Sequence, residues 1–444
     1  MYQVNDNTET QGRLQALLPL GLFLTIFVGS GLYFQSLGTD FAFYQVAAPV
    51  AALPAIILSV WLSKKSLSAG VEEFLAGAGD SNITAMCMIY LLAGGFSATA
   101  KATGGVDAVV ALAMGVIPAG FLLPGLFVTA ALISTAMGTS MGTIAAIAPI
   151  ALGIAGEAGL PLALTAGVVT GGAMFGDNLS IISDTTIAAT RTQGCEMRDK
   201  FRVNLAVALP AALMTLAFLA FQGNGTAPTA PAQTSILLAL PYAAILFMAV
   251  SGLNVFAVLT AGIALAGIAG FLSTPDFTLL TLSKEIYGGF TGMQEIFILS
   301  MFIGGLSRLM KSQGGLAALE ALVSRAIQAM AAGPWGRAAA ELGLGGLVFL
   351  TNLCTANNTV SILVTGSVAK TIAQRHQVAP RRAAGILDIF ACICQGIIPW
   401  GAQLLLVGSI FKISPMAVVG QMHYCLALLA CTLISLIFTA RGKA

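Results

Sequence analysis

Charge is scarce in this chain. Only 9% of its 444 residues are Asp, Glu, Lys or Arg, against about a quarter in an ordinary soluble protein. No nucleophile–base pair, phosphate-cradling glycine loop or zinc-ligand spacing occurs, so catalysis has no support and neither an enzyme nor a bound cofactor is expected. The net charge of +2 is not gathered into a basic face, which excludes nucleic acid as a partner. Histidine is limited to His376, in a basic solvated loop, and His423, beside Gln421 and Tyr424, where a structural hydrogen bond is the expected role. The seven cysteines fall mostly in apolar runs and read as packing residues, not a disulfide set. A cleavable leader is not expected either. Asp6, Glu9 and Arg13 precede the first apolar run and no small-residue cleavage site follows, so Leu14–Phe34 reads as a retained membrane helix.

What the chain has instead is apolar length. Hydrophobic residues make up 57% of it, the composition of an all-α polytopic membrane protein. Runs able to span a bilayer occur at Leu14–Phe34, Phe43–Leu62, Ile83–Ala100, Val203–Phe221, Ile236–Ser251, Val255–Leu272, Gln294–Met310 and Met416–Thr439. Two regions, Phe121–Thr190 and Glu341–Phe411, are too long for one helix and too interrupted for two.

The basic residues give an orientation. Lys64/Lys65, the set Arg191/Arg198/Lys200/Arg202, Arg325/Arg337, Lys370/Arg375/Arg381/Arg382 and Arg441/Lys443 are expected in the cytoplasm. Ser36–Phe43, Gly153–Leu160 and Gln222–Thr234 lack Lys and Arg and are expected outside. Arg337 and Lys370 share a side only if the segment between them is re-entrant, entering over Leu342–Ala356, turning at Thr355–Asn358 and returning over Thr359–Ile372. The first half mirrors this, with Phe121–Met137 entering, a turn at Gly138–Gly142, and Thr143–Ala155 leaving. About ten transmembrane helices, two re-entrant hairpins and two broken helices result, with both termini in the cytoplasm. Lys412 is the misfit.

GGFSATAKATGG (Gly94–Gly105) matches GGLSRLMKSQGG (Gly304–Gly315) at six of twelve positions, 210 residues later. The same order of elements follows each copy. An odd number of crossings per half forces the halves to opposite orientation, the inverted-repeat plan of secondary transporters. The expected halves are 1–222, with hairpin 121–155 and broken helix 161–190, and 235–444, with hairpin 341–372 and broken helix 383–411. Lys101 outside and Lys311 inside are then equivalent residues.

Chemistry concentrates in the interrupted regions. GDNLSIISDTT (Gly176–Thr186) sets Asp177 and Asp184 with Asn178, Ser180, Ser183, Thr185 and Thr186 between apolar runs. A carboxylate at that depth is expensive and usually tied to an ion or proton path. Counted from Pro161, Asp177 lies about 24 Å along a straight helix, at or just past the midplane. The plainer role for either aspartate is to cap the half-helix that follows, but a serine would do that without a charge. The first hairpin tip offers Ser134, Thr139, Ser140 and Thr143 as neutral oxygen ligands, or as small residues for helix packing. The second tip offers Asn352, Thr355, Asn357, Asn358, Thr359 and Ser361, whose amides suit an ion or an organic carboxylate. Asp388, Gln395 and Gln403 lie in the second broken helix. Asp388 reads equally as a proton or cation site and as the partner of a nearby arginine, and Trp400 equally as a packing anchor and a gate. A sodium site built from Asp177, Asn178 and Ser140 is the expected metal centre.

These segments have a family look. FGDNLSIISDTT resembles the Gly-Asp … Ser-Pro-Leu-Ser-Asp-Thr-Thr signature of NhaC-type sodium/proton antiporters, within a wider ion-transporter superfamily. STAMGTSMGT resembles their Ser/Gly-rich hairpin, and Asp388 with Ile398-Pro399-Trp400 their second-half motif. The resemblance implies an inner-membrane carrier using sodium or proton gradients, with the hairpins and broken helices moving elevator-like against a scaffold. The chain departs from the pattern where Ser180-Ile181-Ile182-Ser183 lacks the proline, where Gln395-Gly396-Ile397-Ile398 replaces a Ser-Pro-Leu-Ile-like stretch, and where Gly401 follows Trp400 in place of asparagine. Sodium and protons are the expected coupling ions, with Asp177 binding the cation and Asp184 or Asp388 assisting or carrying the proton. The competing expectation is a sodium- or proton-coupled carrier of an amino acid or small carboxylate, held between the unlike hairpin tips. A channel or a non-transporting membrane scaffold is the more distant reading. The expected partners are the lipid bilayer, a small ion or small organic solute, and a second copy of the chain as a homodimer.

Overall fold

The computed structural model describes residues 12–39, 42, 45–116, 118–181, 183–222, 236–251, 253–330 and 336–441. Most of the Gln222–Thr234 loop, part of Ser36–Phe43, and Lys443 lie outside the described residues. The elements described are helices throughout. They are α1 (Leu18–Ser36), α2 (Ala48–Leu62), α3 (Leu67–Ala78), α4 (Ser81–Ala102), α5 (Gly105–Val116), α6 (Leu122–Met137), α7 (Ser140–Ala158), α8 (Leu162–Leu179), α9 (Asp184–Gln193) and α10 (Met197–Phe221). Then follow α11 (Ile236–Val250), α12 (Val255–Ser273), α13 (Leu279–Gly292), α14 (Gln294–Ser312), α15 (Gly315–Met330), α16 (Gly336–Thr355), α17 (Asn358–Arg375), α18 (Pro380–Ile397), α19 (Ala402–Phe411), α20 (Pro415–Val419) and α21 (His423–Arg441). Among the described residues, seven helical segments are long and apolar enough to cross a membrane, or eight if the bent pair α13–α14 is one span. Large apolar side chains face outward, Trp61 at 76% exposure and Phe221 at 89%, which water would not tolerate in such number but acyl chains would.

The apolar runs formed helices near their expected limits, with two differences. Met416–Thr439 is not one span. Pro415 starts the short α20, and α21 begins only at His423. The amphipathic α3 and α13 precede the long α4 and α14, and neither was legible as a span. Each crosses the long helix of the other half through glycines. Gly77 of α3 meets Gly304 of α14, and Gly289 of α13 meets Gly94 of α4, so closely that a Cβ on Gly77 would sit 2.6 Å from the Gly304 carbonyl oxygen.

The order of helices recurs. α8 and α18 are both 18 residues long and stand 218 apart (380 − 162), and α9 and α19 are both 10 residues long at the same offset. Upstream the offset is 210, as at Gly104 and Gly314, both at positive φ. The difference enters around α15 and α16, each four residues longer than α5 and α6. Tertiary contacts recur as well. Ser134 Oγ donates to the Ala173 carbonyl at 2.6 Å, tying α6 to α8, and Asn352 Nδ2 donates to the Ala391 carbonyl at 2.9 Å, tying α16 to α18; each pair is 39 residues apart.

The hairpin turns are short because each needs only one left-handed residue. Gly138 supplies it between α6 and α7, at φ 71°, where glycine has no Cβ to clash. Ala356 supplies it between α16 and α17, at φ 49°, and an L residue is strained there. Ala356→Gly is therefore expected to stabilise the second hairpin by up to about 1 kcal/mol, read as a rise in melting temperature. An unchanged or lower value would place the strain elsewhere.

Candidate functional site

The site is built where α8 stops short. Ser180 leaves the helix in extended conformation, and α9 restarts at Asp184 after Ser183. A helix that ends inside a bundle frees backbone carbonyls that lipid cannot satisfy. Here they are met from within: Thr186 Oγ1 donates to the Ser180 carbonyl at 2.8 Å, and Lys200 Nζ to the Asn178 carbonyl at 2.7 Å. α8 is held at this depth by glycines. Gly172 and Gly176 lie against α6, and Gly167 and Gly171 against the Gln421 and Tyr424 backbone and side chain.

Asp177, two residues from the end of α8, is 7% exposed. Its carboxylate accepts from Ser140 Oγ at 2.7 Å and Ser183 Oγ at 2.5 Å. Ser183 is in turn 2.9 Å from Thr185 Oγ1. Among the described residues no cationic side chain pairs with Asp177. The carboxylate opens on a cavity of about 130 Å³. Thr139, Ser140, Ser183, Asp184 and Thr185 line it from the first half, and Asn357, Asn358, Thr359, Gln395 and Gln403 from the second. Asn82 and Met86 of α4 close one wall. Asp184 is exposed at the cavity edge.

The two halves are joined by hydrogen bonds across this cavity. Gln395 is the third residue from the end of α18, as Asp177 is in α8. Its Nε2 donates to Gln403 Oε1 at 2.8 Å and to the Ala356 carbonyl at 3.1 Å. Gln403 Nε2 donates to Ser140 Oγ at 3.0 Å. A chain of polar groups thus runs Gln395–Gln403–Ser140–Asp177. Gln395 Oε1 is buried with no hydrogen-bond partner.

Asn178 and Asp388 face the other way, into a second network. Asn178 Nδ2 donates to Asp388 Oδ2 at 3.1 Å, and Asn204 Nδ2 donates to the same oxygen at 2.9 Å. Lys200 Nζ lies 2.6 Å from it, with both side chains 1% exposed. This corrects two sequence expectations. Lys200 is not a cytoplasmic surface charge, although Arg191, Arg198 and Arg202 around it are exposed. The partner of Asp388 is not an arginine either: Arg382 Nε pairs with buried Glu341 at 3.0 Å, and its Nη2 donates to Ser435.

The remaining candidates have other positions. Ser134 and Asn352 make the α6–α8 and α16–α18 ties and do not line the cavity. Thr143 Oγ1 donates to the Thr139 carbonyl of its own helix. Ser180 is buried at the end of α8, outside the cavity wall. Trp400 anchors the second break, donating to the Leu353 carbonyl at 3.2 Å and meeting Phe23 edge-on. His423 stands 3.1 Å from Gln421 Oε1. Among the described residues no cluster of three or more His, Cys, Asp and Glu occurs; the cavity is lined by the carboxylates of Asp177 and Asp184 and otherwise by neutral polar groups. Sequence reasoning missed Lys200 and Asn204 as site residues, and placed Gln403 in the second broken helix without giving it a role. Lys200 was hidden by its basic neighbours, and Gln403 carried a signal, standing 218 residues after Thr185 in the paired half-helix (403 − 185).

A buried carboxylate facing a polar cavity, where helices break inside an apolar bundle, is the arrangement by which secondary transporters of membranes build their ion and substrate sites. Comparison with known proteins finds similarity to one family in particular. Residues 9–224 match the profile of the Na+/H+ antiporter family. The Na+/H+ antiporter NhaC of Bacillus subtilis is 26% identical over 368 residues, 76% of this chain and 80% of its own length. The arginine/ornithine antiporter ArcD of Halobacterium salinarum is 24% identical over 67% of each chain. The malate-2H+/Na+-lactate antiporter of B. subtilis is 40% identical over 102 residues, 21% of each. Over residues 9–224, just under half of its length, this chain is thus similar to the Na+/H+ antiporter family, and its longer matches are to antiporters at 24–26% identity.

Proposed function

We infer that this protein is an inner-membrane sodium/proton antiporter working by alternating access, with Asp177 as the group that sodium and proton share. The observation that carries the reading is the contrast between the two buried aspartates. Asp388 is paired with Lys200, whereas Asp177 accepts from the Ser140 and Ser183 hydroxyls, has no cationic partner among the described residues, and has a cavity in front of it. A carboxylate without a cationic partner must take up a cation or a proton at that depth. One such group suffices for antiport, because the two ions then compete. Ser140, Ser183 and Thr185 complete the oxygen set, and Asp184 at the cavity edge is the entry carboxylate. Asn178 supports the site from behind through Asp388. The proton rides on Asp177 itself, and Asp388 serves structure.

The two inverted halves, 1–222 and 235–444, form the framework, supported by the recurring helix order and the paired 39-residue ties. By the excess of Lys and Arg in cytoplasmic segments, the termini are assigned to the cytoplasm together with Arg191, Arg198 and Arg202.

A second reading has its own support. The amide-rich wall of Asn357, Asn358 and Gln395, with Gln395 Oε1 unpaired, suits an organic solute carrying both donors and acceptors. Two relatives are named for such solutes, arginine/ornithine and malate/lactate. Proteoliposomes loaded with a pH-sensitive dye separate the two. Proton movement on adding sodium or lithium alone supports the antiporter. No response until an amino acid or carboxylate is added would transfer the site to the organic solute.

Ser140→Ala removes one of the two hydroxyls on Asp177 and cuts the link to Gln403. A hydrogen bond to a charged group is worth about 1.5–3 kcal/mol. The sodium KM is expected to rise roughly tenfold or more, with maximal rate less affected. An unchanged KM would show that the hydroxyl is not a ligand.

A further inference from the structure

Lys200 sits in the first turn of α10, yet its ammonium is carried into the bundle. Its three partners are Asp388 Oδ2 at 2.6 Å, the Asn178 carbonyl at 2.7 Å and Thr186 Oγ1 at 2.7 Å. An ammonium has three hydrogens, and all three are used. The oxygens come from three different elements, α18, the end of α8 and the start of α9, so they converge only in the assembled fold. One carboxylate, one carbonyl freed by a helix end and one hydroxyl are the hard oxygen set that a free cation takes. Asn204, 0% exposed, braces the cage by donating to Asp388 Oδ2 and to the Asn178 carbonyl.

We propose that this cage is a second monovalent-cation site, permanently filled by the tethered ammonium of Lys200. The tether holds both broken helices together whatever the state of the Asp177 cavity. It also keeps Asp388 out of ion exchange, leaving Asp177 as the exchanging carboxylate. Removing the side chain beyond Cβ opens the cage to a free ion of matching charge. A salt bridge that served packing alone would not be refilled in this way.

The test uses the purified full-length protein in detergent. All proteins carry Asp177→Asn, so that an ion in the main cavity does not contribute. Melting temperature is read in choline chloride and in ammonium, sodium, lithium and potassium chloride at equal ionic strength. Lys200→Ala is expected to melt roughly 3–5 °C below its Lys200 control in choline, since a buried carboxylate loses its partner. Ammonium or sodium is expected to restore at least half of that loss, by binding the folded state alone. The control should show no such response, and neither should Lys200→Met/Asp388→Asn, a charge-free pair expected to fold. Equal melting of Lys200→Ala in all five salts would overturn the proposal, as would its failure to fold in every one of them. The readout needs no transport, so it stands or falls independently of the solute that the Asp177 cavity carries.

Discussion

Asp177→Asn is expected to abolish sodium-driven proton movement in proteoliposomes while leaving the protein folded. Asparagine keeps the shape of the carboxylate and can still accept from one of Ser140 and Ser183, which now donate at 2.7 and 2.5 Å. What it loses is the charge. It neither releases a proton nor offers a negative ligand to sodium, so the exchange has no shared group. The loss should be complete, not graded, because among the described residues the other buried aspartate on the breaks, Asp388, is held by Lys200. Folding should survive, and even gain, because an unpaired buried carboxylate is costly to keep. Near-normal proton movement by a folded Asp177→Asn protein would remove the central claim. Asp184→Asn is the companion measurement. At the exposed cavity edge it should lower the apparent sodium affinity without stopping exchange.

Gly176→Leu is expected to be the most damaging single change outside the charged groups. A Cβ on Gly176 would sit 2.5 Å from the Thr135 nitrogen and 2.6 Å from the Ala131 carbonyl oxygen, both backbone atoms of α6. Neither can move without shifting the whole helix. Overpacking a well-filled core costs about 1–3 kcal/mol where side chains can adjust, and here the obstruction is main chain, so at least about 3 kcal/mol is expected. The first hairpin would be levered off α8, carrying Ser140 away from Asp177. The checks are yield of folded protein in detergent and melting temperature. Gly176→Ala should lie between, and Gly346→Leu, where nothing stands within 4 Å of a Cβ, should be nearly neutral. Equal stability of Gly176→Leu and Gly346→Leu would contradict the close packing of α6 on α8.

Much of this protein was legible in local patterns. The apolar runs marked most spans, because lipid demands about 20 apolar residues and satisfied backbone. The polar interruption at Gly176–Thr186 marked the first break, because small hydroxyl residues and a carboxylate do not stay buried without a purpose. The hairpin turns fell within the predicted GTSMG and TANN segments, at Gly138 and Ala356. The amphipathic α3 and α13 were not legible as spans, since their apolar residues cover one face only, and the break at Gly420–Met422 divided the last predicted span.

By itself, then, the sequence determined the class of protein, the order of its helices, the two breaks and the carboxylate at the first of them. All of these follow from properties a short window carries: hydropathy, turn chemistry, and the price of a charge in lipid. Only the tertiary structure decided which partners those groups have. Lys200 and Asp388 are 188 residues apart (388 − 200) and lie 2.6 Å from one another, and Gln403 reaches Ser140 across 263 residues. Nothing local distinguishes Lys200 from Arg198 or Arg202. Its direction into the bundle is set by where α10 packs on the breaks, and it is this packing that separates the aspartate held by a lysine from the aspartate held by hydroxyls beside a cavity.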